Sequence, residues 1–362
     1  MPKIRVLVVD DAVVVRRLVT DLLSADPDVE VVGVAANGRL ALAKLDQLSP
    51  DLVTLDIEMP EMDGLETLVH LRKLRPKLPV IMFSTLTERG ASATMEALAR
   101  GASDYVTKPA NVGSVTQAQA QIRDELIPKI KVLCGRVPTP RTPALAARAA
   151  TVPPRLALPS RADILAIGVS TGGPNALAVV LPQLPADFPL PIVIVQHMPP
   201  VFTRCLAERL SGSCRIEVRE GEEGGELRPG LAWIAPGDFH MTLRRVGAAV
   251  RLVLNQDPPE NSCRPAVDPL FRSVAELYGA QTLSLVLTGM GHDGLRGAEL
   301  IREARGQVLA QDESSSVVWG MPGAVVSAGL ADRVLPLDGI ASELMQRAQV
   351  GRPLRFTQPL AR

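Results

Sequence analysis

Short apolar runs recur along the chain, separated by stretches in which apolar residues return every three or four positions. Ile4–Val9, Val29–Ala35, Leu52–Leu55, Val80–Phe83 and Asp104–Val106 read as strands. Their near-continuous apolar character is that of strands buried on both faces, as in parallel sheets. Val14–Leu23 and Leu65–Leu74 carry the helical period instead. Regular alternation of the two predicts a parallel sheet with helices on both faces.

The same texture returns after a break. From Gly135 to Arg161 the chain is rich in Pro, Ala and Arg, which disfavours helix and favours extended, solvated backbone. A linker is expected there, with a brief helix near Ala144–Ala150. Strands are then expected at Ile164–Val169, Ile192–Gln196, Leu283–Thr288 and Val308–Ala310. Helices are expected at Asn175–Leu184, Thr203–Leu210, Val267–Tyr278 and Leu295–Ala304. Leu231–Leu254 mixes Gly and Pro with alternating apolar residues and reads as a β-hairpin insert. The expected fold is thus α/β twice over. A flavodoxin-like domain with a five-stranded parallel sheet spans 3–125, a linker 126–161, and a mainly parallel α/β domain with a hairpin insert 162–350.

Composition narrows the function. The 362 residues carry 39 basic and 39 acidic side chains, so no net field draws in nucleic acid or an anionic membrane. Aromatics are 3% of the chain, too few for base-stacking platforms. No apolar run approaches the roughly 20 residues of a membrane span. The N-terminus shows no signal-peptide pattern. The four cysteines form no CxxC pair, and reduced thiols in a cytoplasmic protein are expected.

The first candidate chemistry lies at strand ends. Asp10 and Asp11 follow the first strand, Asp56 the third, Ser84 and Thr85 the fourth, and Lys108 the fifth. In a parallel sheet these ends share one edge. Clustered carboxylates repel unless a divalent cation joins them, and oxygen ligands suit Mg²⁺. Asp56 then fits a carboxylate nucleophile that accepts a phosphoryl group. "VVDD", "TLDIEMPEMDGLE", "MFST" and "YVTKP" resemble a response-regulator receiver domain over nearly all of 3–125. That resemblance implies phosphorylation of Asp56 and Mg²⁺ held by Asp10, Asp11 and Asp56. It also implies a switch made by Ser84, Tyr105 and Lys108, although Thr85 competes with Ser84 for the hydroxyl role.

The second lies at Gly168-Val169-Ser170-Thr171-Gly172, a G-x-S-x-G between an apparent strand and a helix. This context fits a nucleophile elbow, a phosphate cradle or a plain helix start. It lacks both the dinucleotide-binding glycine pattern and the P-loop lysine. A serine nucleophile needs a base. His197 ends the next strand; His240 falls in the hairpin segment; His292 precedes Asp293 at another strand end; His70 falls within a helix of the first domain. Ser170, His197 and Asp293 would form a triad, in a chain order unlike that of the α/β-hydrolases.

"IGVSTGGPNAL", "VIVQHMPPVFTRCLAERL", "WIAPGDFHM", "CRPAVDPLFRSVA", "LTGMGHDGLRGA" and "GMPGAVVSAGL" together resemble the catalytic domain of the CheB protein-glutamate methylesterases, over about 162–345. The resemblance implies Ser170 as nucleophile, His197 as base and Asp293 as the acid that orients it, with Thr171 and Met290 beside the oxyanion. It implies a hydrolase of glutamate methyl esters on chemoreceptors that also deamidates glutamine, needs no cofactor at the esterase site, and is controlled by a chemotaxis histidine kinase. A cytoplasmic monomer with no nucleic-acid partner is expected. Two other outputs were open to such a chain, a DNA-binding domain and a nucleotide-binding one. No basic helix-turn-helix follows the linker, and nucleotide binding would rest on Gly172-Gly173 alone.

Overall fold

The computed structural model describes residues 2–108, 115–135 and 161–352. They fall into two compact units, 2–135 and 161–352. Most of the expected linker, including the helix near Ala144–Ala150, lies outside the described residues.

The first unit alternates strand and helix throughout: β1 Ile4–Val9, α1 Val13–Ser24, β2 Val29–Ala35, α2 Gly38–Leu48, β3 Leu52–Asp56, α3 Gly64–Leu74, β4 Val80–Ser84, α4 Glu88–Ala99, β5 Asp104–Thr107 and α5 Val115–Leu133. The sheet order is β2-β1-β3-β4-β5 and every pairing is parallel. Helix starts are capped as their sequences imply: Asn37, Asp63 and Thr87 each accept a hydrogen bond from the first turn of the following helix. α5 runs beyond the domain end expected at 125. Leu126, Ile127 and Ile130 bury with Val6, Val8, Val19 and Leu23 in the core.

The second unit contains β6 Ile164–Val169, α6 Gly173–Val180, β7 Ile192–Gln196, α7 Phe202–Ser213, β8 Glu217–Glu220, β9 Leu231–Ile234, β10 His240–Val246 and β11 Ala249–Asn255. It continues with α8 Val267–Tyr278, β12 Thr282–Val286, α9 Leu295–Glu303, β13 Gln307–Gln311, α10 Met321–Ser327, β14 Arg333–Leu335 and α11 Leu337–Gln349. Seven strands form one sheet in the order β14-β13-β12-β6-β7-β9-β8, with every pairing parallel.

The hairpin insert is shorter than expected. Leu231–Ile234 is not part of it: this four-residue strand is wholly buried and pairs in parallel with β7 and β8. The hairpin proper is β10–β11, a separate antiparallel pair. It is tied to α8, where Ser273 Oγ accepts from the Leu243 amide at 3.1 Å. On its other side α8 presses against β6. A Cβ at Gly168 would lie 2.5 Å from Val267 Cγ1, so glycine lets the strand and helix approach. That approach carries the start of α8 to the carboxyl edge of the sheet.

Candidate functional sites at two sheet edges

In the first unit, the register Val9↔Leu55, Asp56↔Phe83 and Ser84↔Thr107 places the strand ends on one edge. Among the described residues, Asp10, Asp11 and Asp56 are the acidic group close enough to share a cation, with ligand oxygens within 4.8 Å of one another. Lys108 Nζ lies 2.7 Å from Asp56 Oδ2 and 2.9 Å from Asp10 Oδ2. Asp10 Oδ2 is buried and, despite that ion pair, has no directed hydrogen bond.

Burial, followed by the Asp10 carboxylate, pushes Asp56 up to about 6 against the pull of Lys108. Burial opposes the charge on Lys108, but the two carboxylates outweigh it and hold the amine above its ordinary value. A cavity of about 200 Å³ opens over the cluster, lined by Asp11, Asp56, Glu58, Ser84, Thr85 and Lys108.

Ser84 and Thr85 both line that cavity but differ in setting. Ser84 ends β4, is buried, and donates to the Gly90 carbonyl at 3.0 Å. Thr85 is exposed and its hydroxyl pairs with that of Thr87. Tyr105 is buried, with Lys129 Nζ 5.1 Å from its ring centre and 2.7 Å from its carbonyl oxygen.

In the second unit, Val169 pairs with Gln196, so Ser170 and His197 leave neighbouring strands side by side. The His197 amide donates to the Val169 carbonyl at 3.2 Å, and the Ser170 amide to Thr288 at 3.0 Å. Gly172 makes the turn into α6 with a φ of +78°, a conformation that favours glycine. A Cβ there would also meet Val317 at 2.7 Å.

Asp293 lies in the loop between β12 and α9, and what holds it is the start of α8. Its Oδ2 accepts from the Val267 amide at 2.6 Å, and its Oδ1 from the amides of Asp268 at 3.1 Å and Gly294 at 2.9 Å. Free N–H groups and positive potential at a helix N-terminus stabilise such an anion. Oδ2 also stands 2.7 Å from His197 Nε2. Burial raises Asp293, but the imidazole and the backbone amides outweigh it and hold the carboxyl below its ordinary value. Burial disfavours charge on His197, yet the contacts to Asp293 and Cys263 raise the imidazole well above the usual 6.5.

Nε2 faces Asp293, which leaves Nδ1 as the ring nitrogen able to take a proton. Cys263 Sγ stands 3.5 Å from Nδ1. Ser170 is half-buried, and its hydroxyl has no hydrogen-bond partner among the described residues. The amides of Thr171 and Met290 likewise have none.

The other histidines separate cleanly from His197. His240 is buried with both ring nitrogens engaged: Nε2 is 3.2 Å from the Pro258 carbonyl and Nδ1 accepts from the Ala266 amide. It ties β10 to the loop before α8. His292 is exposed, and His70 is half-buried on α3.

Several supporting residues escaped the sequence reading. Asn261 Nδ2 donates to both Asp268 Oδ2 and Asp293 Oδ1, at 2.9 and 2.8 Å. Asp268 Oδ1 accepts from the Gly297 amide at 2.7 Å, linking α8 to α9. "CRPAVDP" carried two of the missed residues, Cys263 and Asp268, but nothing in its spacing says that they face His197 and Asp293.

The family model of the response regulator receiver domain matches residues 6–120, and that of the CheB methylesterase matches 165–344. A protein-glutamate methylesterase/protein-glutamine glutaminase of Trichodesmium erythraeum is 55% identical over 350 residues, covering 96% of this chain and 99% of its own. The chain belongs to the CheB methylesterase family. A relative of the same description from Nocardioides sp. is 56% identical over 358 residues and covers 98% of each chain. The crystal structure of the Thermotoga maritima CheB methylesterase catalytic domain is 44% identical, with a TM-score of 0.51, covering 52% of this chain and 99% of that one.

Among the described residues, no helix is long and apolar enough to cross a membrane.

Proposed function

We propose that the chain is a phosphorylation-regulated hydrolase that removes methyl esters from glutamates of chemoreceptors and deamidates receptor glutamines. One observation carries the chemistry: a His197 ring paired with the buried Asp293 carboxylate, beside Ser170 at a sheet edge. Ser170 Oγ attacks the ester carbonyl while His197 Nδ1 takes its proton. Asp293, on Nε2, fixes the ring and stabilises the imidazolium as it forms. The unpartnered amides of Thr171 and Met290 are the donors assigned to the developing oxyanion, a contribution of about 3–4 kcal/mol per donor in acyl-transfer enzymes. His197 returns the proton to the departing methanol. Water, activated by the same nitrogen, then frees the glutamate and Ser170. A glutamine side chain offers the same carbonyl with ammonia as the leaving group. No cofactor is assigned to this site.

Asp56 is the phosphoryl acceptor, with a chemotaxis histidine kinase as donor. Asp10, Asp11 and Asp56 fit Mg²⁺, since Asp10 Oδ2 is buried without a directed hydrogen bond and all three offer oxygen. When bound, Mg²⁺ supplies positive charge against the carboxylates and the incoming phosphoryl oxygens. Lys108 holds Asp56 in place, and Ser84 and Tyr105 are the parts whose rearrangement reports the phosphorylated state. The unphosphorylated receiver restrains the esterase. The protein works as a cytoplasmic monomer.

The test is methanol release from methylated receptor by the intact chain and by Ser170→Ala. Loss of turnover in a folded variant supports the reading, and wild-type turnover by it rejects the reading.

A further inference from the structure

We propose that Gln196 is a positioning residue of the esterase reaction, its amide tying the backbone of the nucleophile to that of the base. The inference rests on the assignment of Ser170 and His197 above.

Gln196 is the last residue of β7 and is 2% exposed. Its Nε2 donates to the Ser170 carbonyl at 2.9 Å and to the His197 carbonyl at 3.3 Å. One donor thus bridges the two strand-end turns that carry the reacting side chains. Among the described residues, the Ser170 carbonyl otherwise receives only the Gly173 amide, at 2.8 Å. Among the described residues, no other group donates to the His197 carbonyl.

The arrangement is costly, and the cost points to its use. Gln196 Oε1 is buried without a partner, a penalty that an apolar residue at the end of "IVIVQ" would avoid. The neighbouring backbone accommodates it: a Cβ at Gly173 would lie 2.0 Å from Oε1. The amide is therefore retained at the expense of an orphaned acceptor and a glycine in the first turn of α6.

Gln196 touches neither reacting atom. What it controls is the separation of Ser170 from His197, and displacement on the order of 1 Å costs about a hundredfold in rate. Its loss should lower kcat with little change in KM.

The experiment uses the full chain and three variants, Gln196→Leu, Gln196→Glu and Ser170→Ala. Methanol release is followed across pH, and thermal melting is recorded for each protein. Gln196→Leu is expected to lose about tenfold to a hundredfold in kcat, with KM within about twofold and the same ratio to wild type at every pH. Gln196→Glu keeps one donor while its carboxyl is protonated. Once ionised it has none and faces two carbonyl oxygens. Its kcat ratio to wild type should therefore fall as pH rises.

The titratable groups around the clamp are His197 and, against its ring, Asp293 and Cys263. They are common to all the proteins, and the Gln196→Leu profile reports their titration separately. Should Gln196→Leu fail to fold, the pH trend of Gln196→Glu decides alone. Wild-type kcat in Gln196→Glu across the pH range overturns the clamp, and so does a pH-independent loss in it that tracks melting temperature. Full turnover by Ser170→Ala instead removes the triad assignment on which the clamp rests. Loss in Ser170→Ala with wild-type behaviour in both Gln196 variants removes the clamp alone.

Discussion

The two units place aspartates at the same kind of position, the carboxyl edge of a parallel sheet, and treat them in opposite ways. Asp56 lies against Asp10 with one lysine to share, and burial together with its neighbour raises it to about 6. Asp293 takes three backbone amides, two of them from the start of α8, and is held below the ordinary range. The first arrangement sets three carboxylates against one lysine and fits a divalent cation. The second is satisfied within the protein, and its retained negative charge orients His197 and favours the charged imidazole. Sheet topology therefore chooses where the carboxylates go, while the neighbouring backbone donors decide what they do.

The sharpest break in this comparison comes from the second edge. Ser170→Ala should reduce methanol release to background with the fold intact by circular dichroism. Asp293→Asn should cost roughly 10⁴ in turnover, because an amide leaves the imidazole in the wrong tautomer. His197→Gln should cost at least as much, whereas His292→Gln, altering an exposed ring, should stay near wild type. Parallel kinetics on the four variants check this. A dead His292 variant beside an active His197 variant would reassign the base.

Breaking the first edge should have a smaller, regulatory effect. A small-molecule phosphodonor with Mg²⁺ should stimulate the intact chain, and Asp56→Asn should abolish that response while keeping the basal rate. Basal turnover lost together with the response would mean that Asp56 supports folding rather than control.

Two pH experiments sharpen the contrast between the aspartates. His197 must be neutral to act as base, and its contacts raise it above 6.5. The rise of kcat/KM should therefore centre above pH 6.5, and a midpoint at or below that value would contradict the charge assignment. Asp56 behaves differently because it is raised from 3.8 to about 6. A raised carboxyl favours folding below its unfolded value, and that contribution is lost as pH rises through about 6. Without divalent cation, the melting temperature of the receiver transition should fall across this interval. Mg²⁺ should restore it more at pH 8 than at pH 5. Equal Mg²⁺ effects at both values would argue against a cation bound by ionised carboxylates.

Much of this was legible in the sequence because parallel sheets turn strand ends into addresses. Locating the apolar runs was enough to put Asp10, Asp56 and Lys108 on one edge, and Ser170, His197 and Asp293 on another. β9 was misread as hairpin because "LAWI" is four residues among Gly and Pro, and no periodicity separates it from β10. β8, "EVRE", has a single apolar residue and pairs at the sheet's edge, so no apolar run announces it. The supports of the triad were hidden for another reason. Asn261, Cys263 and Asp268 come from the β11–α8 connection and the helix it enters. They reach Asp293 or His197 only because α8 packs on β6 across Gly168. Contacts made by packing leave no spacing signal. Gln196 was visible as a polar residue ending an apolar strand, but which carbonyls it binds depends on the register with β6.

The central claim is that His197, held by Asp293, activates Ser170. Its most direct test is the rate at which a serine-directed fluorophosphonate labels the intact chain, with the adduct located by peptide mass spectrometry. A single adduct on Ser170 is expected, formed at least a hundredfold more slowly in both His197→Gln and Asp293→Asn. Labelling at another residue, or at an unchanged rate in those two variants, would contradict the claim.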